Sequence, residues 1–117
     1  LDMFEFVKCS YEELQRIRHR EDLLLSGWTM LEEAYIDETL KVYDKEGILV
    51  ALLNYYFLDE EKERMIIALF EVFKQYRNKG LGKKIIAQFL QDYLVSVIYV
   101  PFRNWLQNRR SNWYEMG

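Results

Sequence analysis

A mixed α/β domain, one sheet with helices on both faces, is the fold class this sequence predicts. Three observations carry the prediction. β-rich runs and helical patterns succeed one another in the order β-α-α-β-β-β-α-β-α along residues 1–117. The three central β runs are joined by turn signals alone, so they form an antiparallel meander. A helical pattern then separates the runs 64–73 and 95–100, and a helix between two strands of one sheet makes them parallel through a right-handed crossover.

Phe4-Glu5-Phe6-Val7-Lys8 alternates and reads as the first strand. Ser10-Tyr11-Glu12-Glu13 is a capping box, in which the Ser10 hydroxyl and the Glu13 carboxylate each satisfy a free N–H. The helix it opens turns Leu14 and Ile17 inward. Residues 21–38 read as helical, broken near Ser26-Gly27, with Trp28, Met30, Leu31, Ala34 and Tyr35 on the apolar face of the second piece. Thr39 to Tyr43 is the second strand. Asp44-Lys45-Glu46-Gly47 is a turn in which Gly47 supplies the positive φ. Ile48 to Phe57 and Arg64 to Phe73 are strands, with Asp59 to Glu63 a solvated turn between them. Leu81 to Leu94 is a helix that buries Ile85, Ile86, Phe89, Leu90 and Tyr93. Val95 to Val100 is a β-branched run ended by Pro101, and about Asn104 to Tyr114 is a last helix.

The chain has the length of a single domain, 1–117, and half its residues are apolar. A net charge of −3 argues against nucleic-acid binding, which wants a basic domain. The positive charge is nonetheless local, at residues 74–84 and at Arg103, Arg109 and Arg110. That distribution suits a specific anionic ligand rather than a polyanion track. One cysteine, Cys9, excludes an internal disulfide and fits a reducing cytoplasm. No apolar run approaches the ~20 residues of a membrane span. The Leu1 start reads as trimmed. His19, between Arg18 and Arg20, reads as a solvated helix-end residue, and without neighbouring ligands it gives no metal site.

Gln75-Tyr76-Arg77-Asn78-Lys79-Gly80-Leu81-Gly82-Lys83 is the stretch with the most chemistry. An apolar strand, a basic glycine-containing turn and a helix make a phosphate site. The first helical N–H groups lack intrahelical partners, and the helix dipole favours an anion before them. Gly80 and Gly82 let the backbone approach a ligand closely. The alternative is an ordinary β-to-α turn carrying solvated lysines.

The element order together with this turn resembles the GNAT family of N-acetyltransferases, an acyl-CoA N-acyltransferase fold. The family signature, Gln/Arg-x-x-Gly-x-Gly/Ala, is met by Arg77-Asn78-Lys79-Gly80-Leu81-Gly82. The family's closing Tyr-Glu-Lys-x-Gly-Phe-like segment is matched, one residue short, by Trp113-Tyr114-Glu115-Met116-Gly117. The signature region covers about residues 65–94 and the element order covers the whole chain. One departure stands out: the family has two further strands after the glycine matched by Gly117, so the resemblance implies a C-terminally incomplete sheet. Its exposed edge would be covered by missing chain or by a second copy in a homodimer.

The resemblance implies acetyl-coenzyme A as cosubstrate and a small-molecule or peptide amine as acceptor. It places strand contacts at Phe70, Glu71 and Val72, and phosphate contacts, mostly through backbone, at Arg77, Asn78, Lys79, Gly80, Leu81, Gly82 and Lys83. A primary amine has a pKa of about 10.4 and must lose a proton before it attacks a thioester. Glu71, beside the cleft, is the candidate base. An N–H near Val72 would hold the oxyanion. Tyr114 is the candidate proton donor to the leaving thiolate, with Trp113 at that place if the closing segment is aligned on Gly117 instead. The rival reading is a coenzyme-A-binding sensor or interaction module without turnover.

Overall fold

The computed structural model describes residues 3–62, 64–93 and 97–99. The elements are β1 (Phe4–Lys8), α1 (Tyr11–Ile17), α2 (Gly27–Met30), a 3-10 segment (Glu33–Glu38), β2 (Thr39–Asp44), β3 (Leu49–Phe57), β4 (Arg64–Val72), a short 3-10 turn (Lys74–Tyr76), α3 (Leu81–Tyr93) and β5 (Val97–Tyr99). The five strands lie in sequence order across one sheet. β1 to β4 are antiparallel and β5 is parallel to β4, as the crossover through α3 requires. The expected final helix lies outside the described residues.

Strand alternation gives the sheet two apolar faces. Leu40, Val42, Leu53, Ile67 and Phe70 pack with Ile85, Ile86 and Phe89 of α3. Phe89 meets Phe6 and Tyr55 edge-on, with centroids 5.8 and 5.3 Å away. On the other face Leu52 and Phe73 are covered by Cys9, Leu14, Leu25, Trp28 and Ile36. The capping box at α1 is formed: Glu13 N donates to Ser10 Oγ and Ser10 N to Glu13 Oε1, each at 3.1 Å. Gly47 takes φ +81° in the β2–β3 turn. The start of edge strand β1 is blunted by Gln88 of α3, whose Oε1 accepts from Met3 N and Phe4 N and whose Nε2 donates to Phe4 O at 2.6 Å.

Two register shifts bend the sheet. The one that matters for the site lies in β4, where Asn54 opposes Leu69 and Tyr55 opposes Ile67, leaving Ala68 as the extra residue of a bulge. The described pairing with β5 covers Arg64–Ile66, and β4 runs on past it to Val72.

The reading of 21–38 as two helical pieces needs correction. Only Gly27–Met30 forms an α-turn, and Glu33–Glu38 is 3-10. Within the proposed apolar face Trp28 is fully buried, but Met30 is 76% exposed and Ala34 is exposed. The cause is tertiary: Leu24 N and Leu25 N donate to a side chain of β4, at 2.5 and 3.0 Å, instead of to helical carbonyls.

The carboxylate of Glu13 also accepts from Lys41 of β2. The Lys41 ammonium and the Ser10 amide hold the Glu13 carboxyl below the usual range, and Glu13 raises Lys41 in turn. A depressed carboxyl contributes stability above its unfolded pKa that is lost as pH falls through the folded value. A raised ammonium contributes below its unfolded pKa and is lost as pH rises. Lys41→Met is therefore expected to cost about 1 kcal/mol or less near neutrality, because 31% of the Glu13 side chain lies in water. The difference from wild type should shrink in urea melts taken below about pH 4. A difference independent of pH between 3 and 7 would show that only packing was lost.

Candidate active site

β4 ends at Val72, the chain turns through Lys74–Tyr76, and α3 begins at Leu81. Between them Asn78 takes φ +64° and Gly80 φ +73°. A Cβ built on Gly80 would meet nothing within 4 Å, so the glycine answers to backbone conformation there, with open space in front of it. Gly80 O accepts from Lys84 N at 3.4 Å, which starts the helix at Leu81. Helix geometry leaves the first-turn N–H groups, those of Leu81, Gly82 and Lys83, without intrahelical partners. Lys74, Asn78, Lys79, Lys83 and Lys84 are exposed around this end, while Gly82 is buried beneath it. The turn can bind an anion through backbone N–H groups, the helix dipole and mobile ammonium groups together.

Arg77, the cation that opens the signature, points elsewhere. Its Nε donates to Val72 O at 2.8 Å and its Nη2 to Glu71, and only 8% of the side chain is exposed. Any phosphate contact at this residue falls to its backbone.

Glu71 is completely buried. It accepts from Leu24 N at 2.5 Å, Leu25 N at 3.0 Å, Trp28 Nε1 at 3.0 Å and Arg77 Nη2. The expectation that Glu71 borders the cleft as a general base does not fit this geometry. A base needs a lone pair within reach of substrate or of a water, and four protein donors surround this carboxylate where water has no access. Its side chain shares the face of the sheet with Leu52, Trp28 and Phe73. Phe70 and Val72, the neighbouring strand residues, are buried in the cluster under α3.

On the face covered by the 24–38 segment, a cavity of about 180 Å³ opens at the β4 bulge. Leu31, Glu38, Asn54, Tyr55, Tyr56 and Ala68 line it. Glu38 is half-buried and has no ion pair among the described residues. Asn54 Nδ2 donates to Thr39 Oγ1 at 2.9 Å. A wider recess of about 750 Å³ lies at the far edge of the sheet, between β1 and the β2–β3 turn, away from the glycine turn.

Sequence reasoning missed Ala68, Glu38 and the true setting of Glu71. A signal for the last was present: a lone acid in the apolar run Met65 to Phe73 must be paired if buried, and Arg77 is the near cation. Tyr114 and Trp113 lie outside the described residues. His19 is exposed in the turn after α1. No helix among the described residues is long and apolar enough to cross a membrane.

The sequence profile described as the acetyltransferase (GNAT) family matches residues 2–116. A search of curated protein sequences returns no match. Among solved structures, a diaminobutyrate acetyltransferase from Paenibacillus lautus, in complex with L-2,4-diaminobutyric acid and coenzyme A, superposes with a TM-score of 0.54 at 14% identity, over 91% of this chain and 70% of that one. A chimera of the Vibrio cholerae spermidine N-acetyltransferase SpeG and hSSAT gives 0.59 at 14%, over 99% and 80%. A ribosomal-protein-alanine N-acetyltransferase from Brucella melitensis gives 0.53 at 14%, over 94% and 91%. At these identities the likeness is one of fold.

Cys9, the lone cysteine, is 3% exposed and its thiol is pushed up to about 11, chiefly by burial. At pH 8 only about one thiol in a thousand is then ionised. An aromatic disulfide reagent is expected to titrate Cys9 at once in 6 M guanidinium chloride and to leave it largely unmodified over an hour in buffer. Prompt reaction of the folded protein would contradict the buried position.

Proposed function

The chain belongs to the acetyltransferase (GNAT) family, and from that premise we propose that it transfers the acetyl group of acetyl-coenzyme A to a primary amine by direct attack within a ternary complex. One observation carries the reading: the strand β4 delivers a left-handed glycine turn straight into the N-terminus of α3, with exposed lysines on its rim. The cofactor's pyrophosphate lies on the turn from Arg77 to Lys83, held by N–H groups of Asn78, Lys79, Gly80, Leu81, Gly82 and Lys83. Its pantetheine arm follows β4 beside Phe70, Glu71 and Val72, where the strand continues past the described pairing with β5.

The acceptor approaches from the cavity at Ala68. Tyr56 and Leu31 offer its carbon skeleton an apolar wall, and the Glu38 carboxylate offers its ammonium a counter-ion. Attack by the neutral amine forms the new C–N bond and moves charge onto the carbonyl oxygen. A backbone N–H near Val72, fixed in direction by the sheet, stabilises that charge without reorganising. The tetrahedral species then collapses with loss of the thiolate of coenzyme A, which takes a proton from Tyr114. The amine's own proton leaves through Glu38 or water.

Isothermal titration with acetyl-coenzyme A is expected to give micromolar binding, and changing Gly80 and Gly82 together to valine should abolish it while far-UV circular dichroism is retained. Folded wild-type protein that binds no acetyl-coenzyme A would sink the proposal. Turnover is read as thiol release during a screen of polyamines, amino acids, aminoglycosides and peptide amines. Tyr114→Phe is expected to lower kcat by about 10²- to 10⁴-fold with cofactor affinity within about threefold of wild type. Binding without release of thiol for any amine would indicate a coenzyme-A sensor instead of an enzyme.

A further inference from the structure

Two parts of the proposed site come from distant stretches of chain, and one buried side chain joins them. The cofactor turn is held by Arg77, whose guanidinium bridges Val72 O and Glu71. The acceptor-side segment is held by the same Glu71, through Leu24 N, Leu25 N and the Trp28 indole. Supporting contacts run in parallel. Lys74 N donates to Asp22 O at 3.1 Å, and the Arg20 guanidinium, paired with Asp22 at 2.8 Å, lies 4.1 Å from the Phe73 ring centroid. Gly27 fits so closely on β4 that an added Cβ would stand 2.6 Å from Leu69 Cδ2. The segment then leads from Trp28 to Leu31, which lines the cavity at Ala68.

We propose that Glu71 is a positioning residue that links the cofactor turn to the acceptor-side segment, so that coenzyme A bound at 77–83 tightens the segment 24–31 on the opposite side of β4. This rests on the acetyltransferase reading. The physical argument is one of shared acceptors. Two oxygens receive all four donors, so displacing Arg77 weakens the field that holds the Leu24 and Leu25 amides, and loosening those amides leaves the charge of Arg77 less well paired. Linkage then makes the effect reciprocal. The arrangement also explains why the signature cation is turned inward: its charge is needed by Glu71, and exposed Lys79 and Lys83 remain for phosphate.

The test uses residue-resolved amide hydrogen exchange with coenzyme A as the probe, with binding followed by calorimetry on the same samples. In wild type, saturating coenzyme A should slow exchange at Leu24 and Leu25 by about fivefold or more, beyond any change at the core amide of Leu53. In Arg77→Lys, which keeps the charge but loses the two-armed reach, the slowing should fall below about twofold while Gly82 and Lys83 amides are still protected. If Arg77→Lys does not fold, Trp28→Phe decides: it removes one donor at the far end, and should weaken coenzyme A by about fivefold although Trp28 is remote from the turn. Binding to wild type with no change at Leu24 and Leu25, full slowing retained in Arg77→Lys, or unaltered affinity in Trp28→Phe each overturns the link and leaves the acetyltransferase reading intact. Absence of binding to folded wild type removes both.

Discussion

The arrangement around Glu71 is the constraint on which the rest of the site depends. An ionised carboxylate with no exposure to water carries a large desolvation penalty. It is tolerated because four donors from two stretches of chain converge on its two oxygens. The same convergence fixes those stretches. Removing one partner of such a buried pair typically costs about 3–5 kcal/mol, so the path of residues 22–28, the pose of Trp28 and the direction of Arg77 are all set by one side chain of β4. Forming such a buried pair adds little net stability, yet breaking it is costly, because it leaves an uncompensated charge in the interior.

The sheet supplies the frame for this anchor. The buried residues of β3 and β4 alternate between two cores, and the two cores are built by different helices: α3 beneath Phe70, and the α1–α2 region above Leu52 and Glu71. A single residue step along β4 therefore moves from the core under α3 to the core under the segment 24–36. The bulge at Ala68 sits within the same strand and bends it where the cavity opens. Strand, bulge and anchor together place the glycine turn and the cavity on one rigid element.

The division of labour among cations follows from electrostatics. Arg77 is enclosed and committed to Glu71 and Val72 O, whereas Lys74, Lys79, Lys83 and Lys84 remain in water. A bidentate guanidinium suits the enclosed site, since its planar fork satisfies two acceptors at fixed angles. Flexible ammonium groups suit the rim, where they can follow a phosphate without prior ordering. The fixed part of the turn is then the backbone itself, and its shape rests on the left-handed residues Asn78 and Gly80.

Much of this fold was legible in the residues. Ser10 and Glu13 announce a helix start, Gly47 a turn, and the spacing of Ile85, Ile86 and Phe89 a buried helical face; each is local chemistry that the chain enforces wherever it folds. The glycine turn between an apolar strand and a helix was legible for the same reason, because its N–H groups and positive φ belong to a few consecutive residues. Residues 21–26 were not, since Leu23-Leu24-Leu25 has helical composition but two of its amides are claimed by a carboxylate 46 and 47 residues away. Strand alternation alone left the side of the sheet that Glu71 faces undecided, and it could not show that Arg77 would fold back to meet it. The sequence by itself determined the meander of strands, the helix after β4 and the glycine turn between them, because those follow from short-range periodicity and backbone geometry. The tertiary structure decided the bulge at Ala68, the cavity beside Glu38 and the use of Glu71 as an anchor, because each depends on which distant groups compete for the same buried atoms.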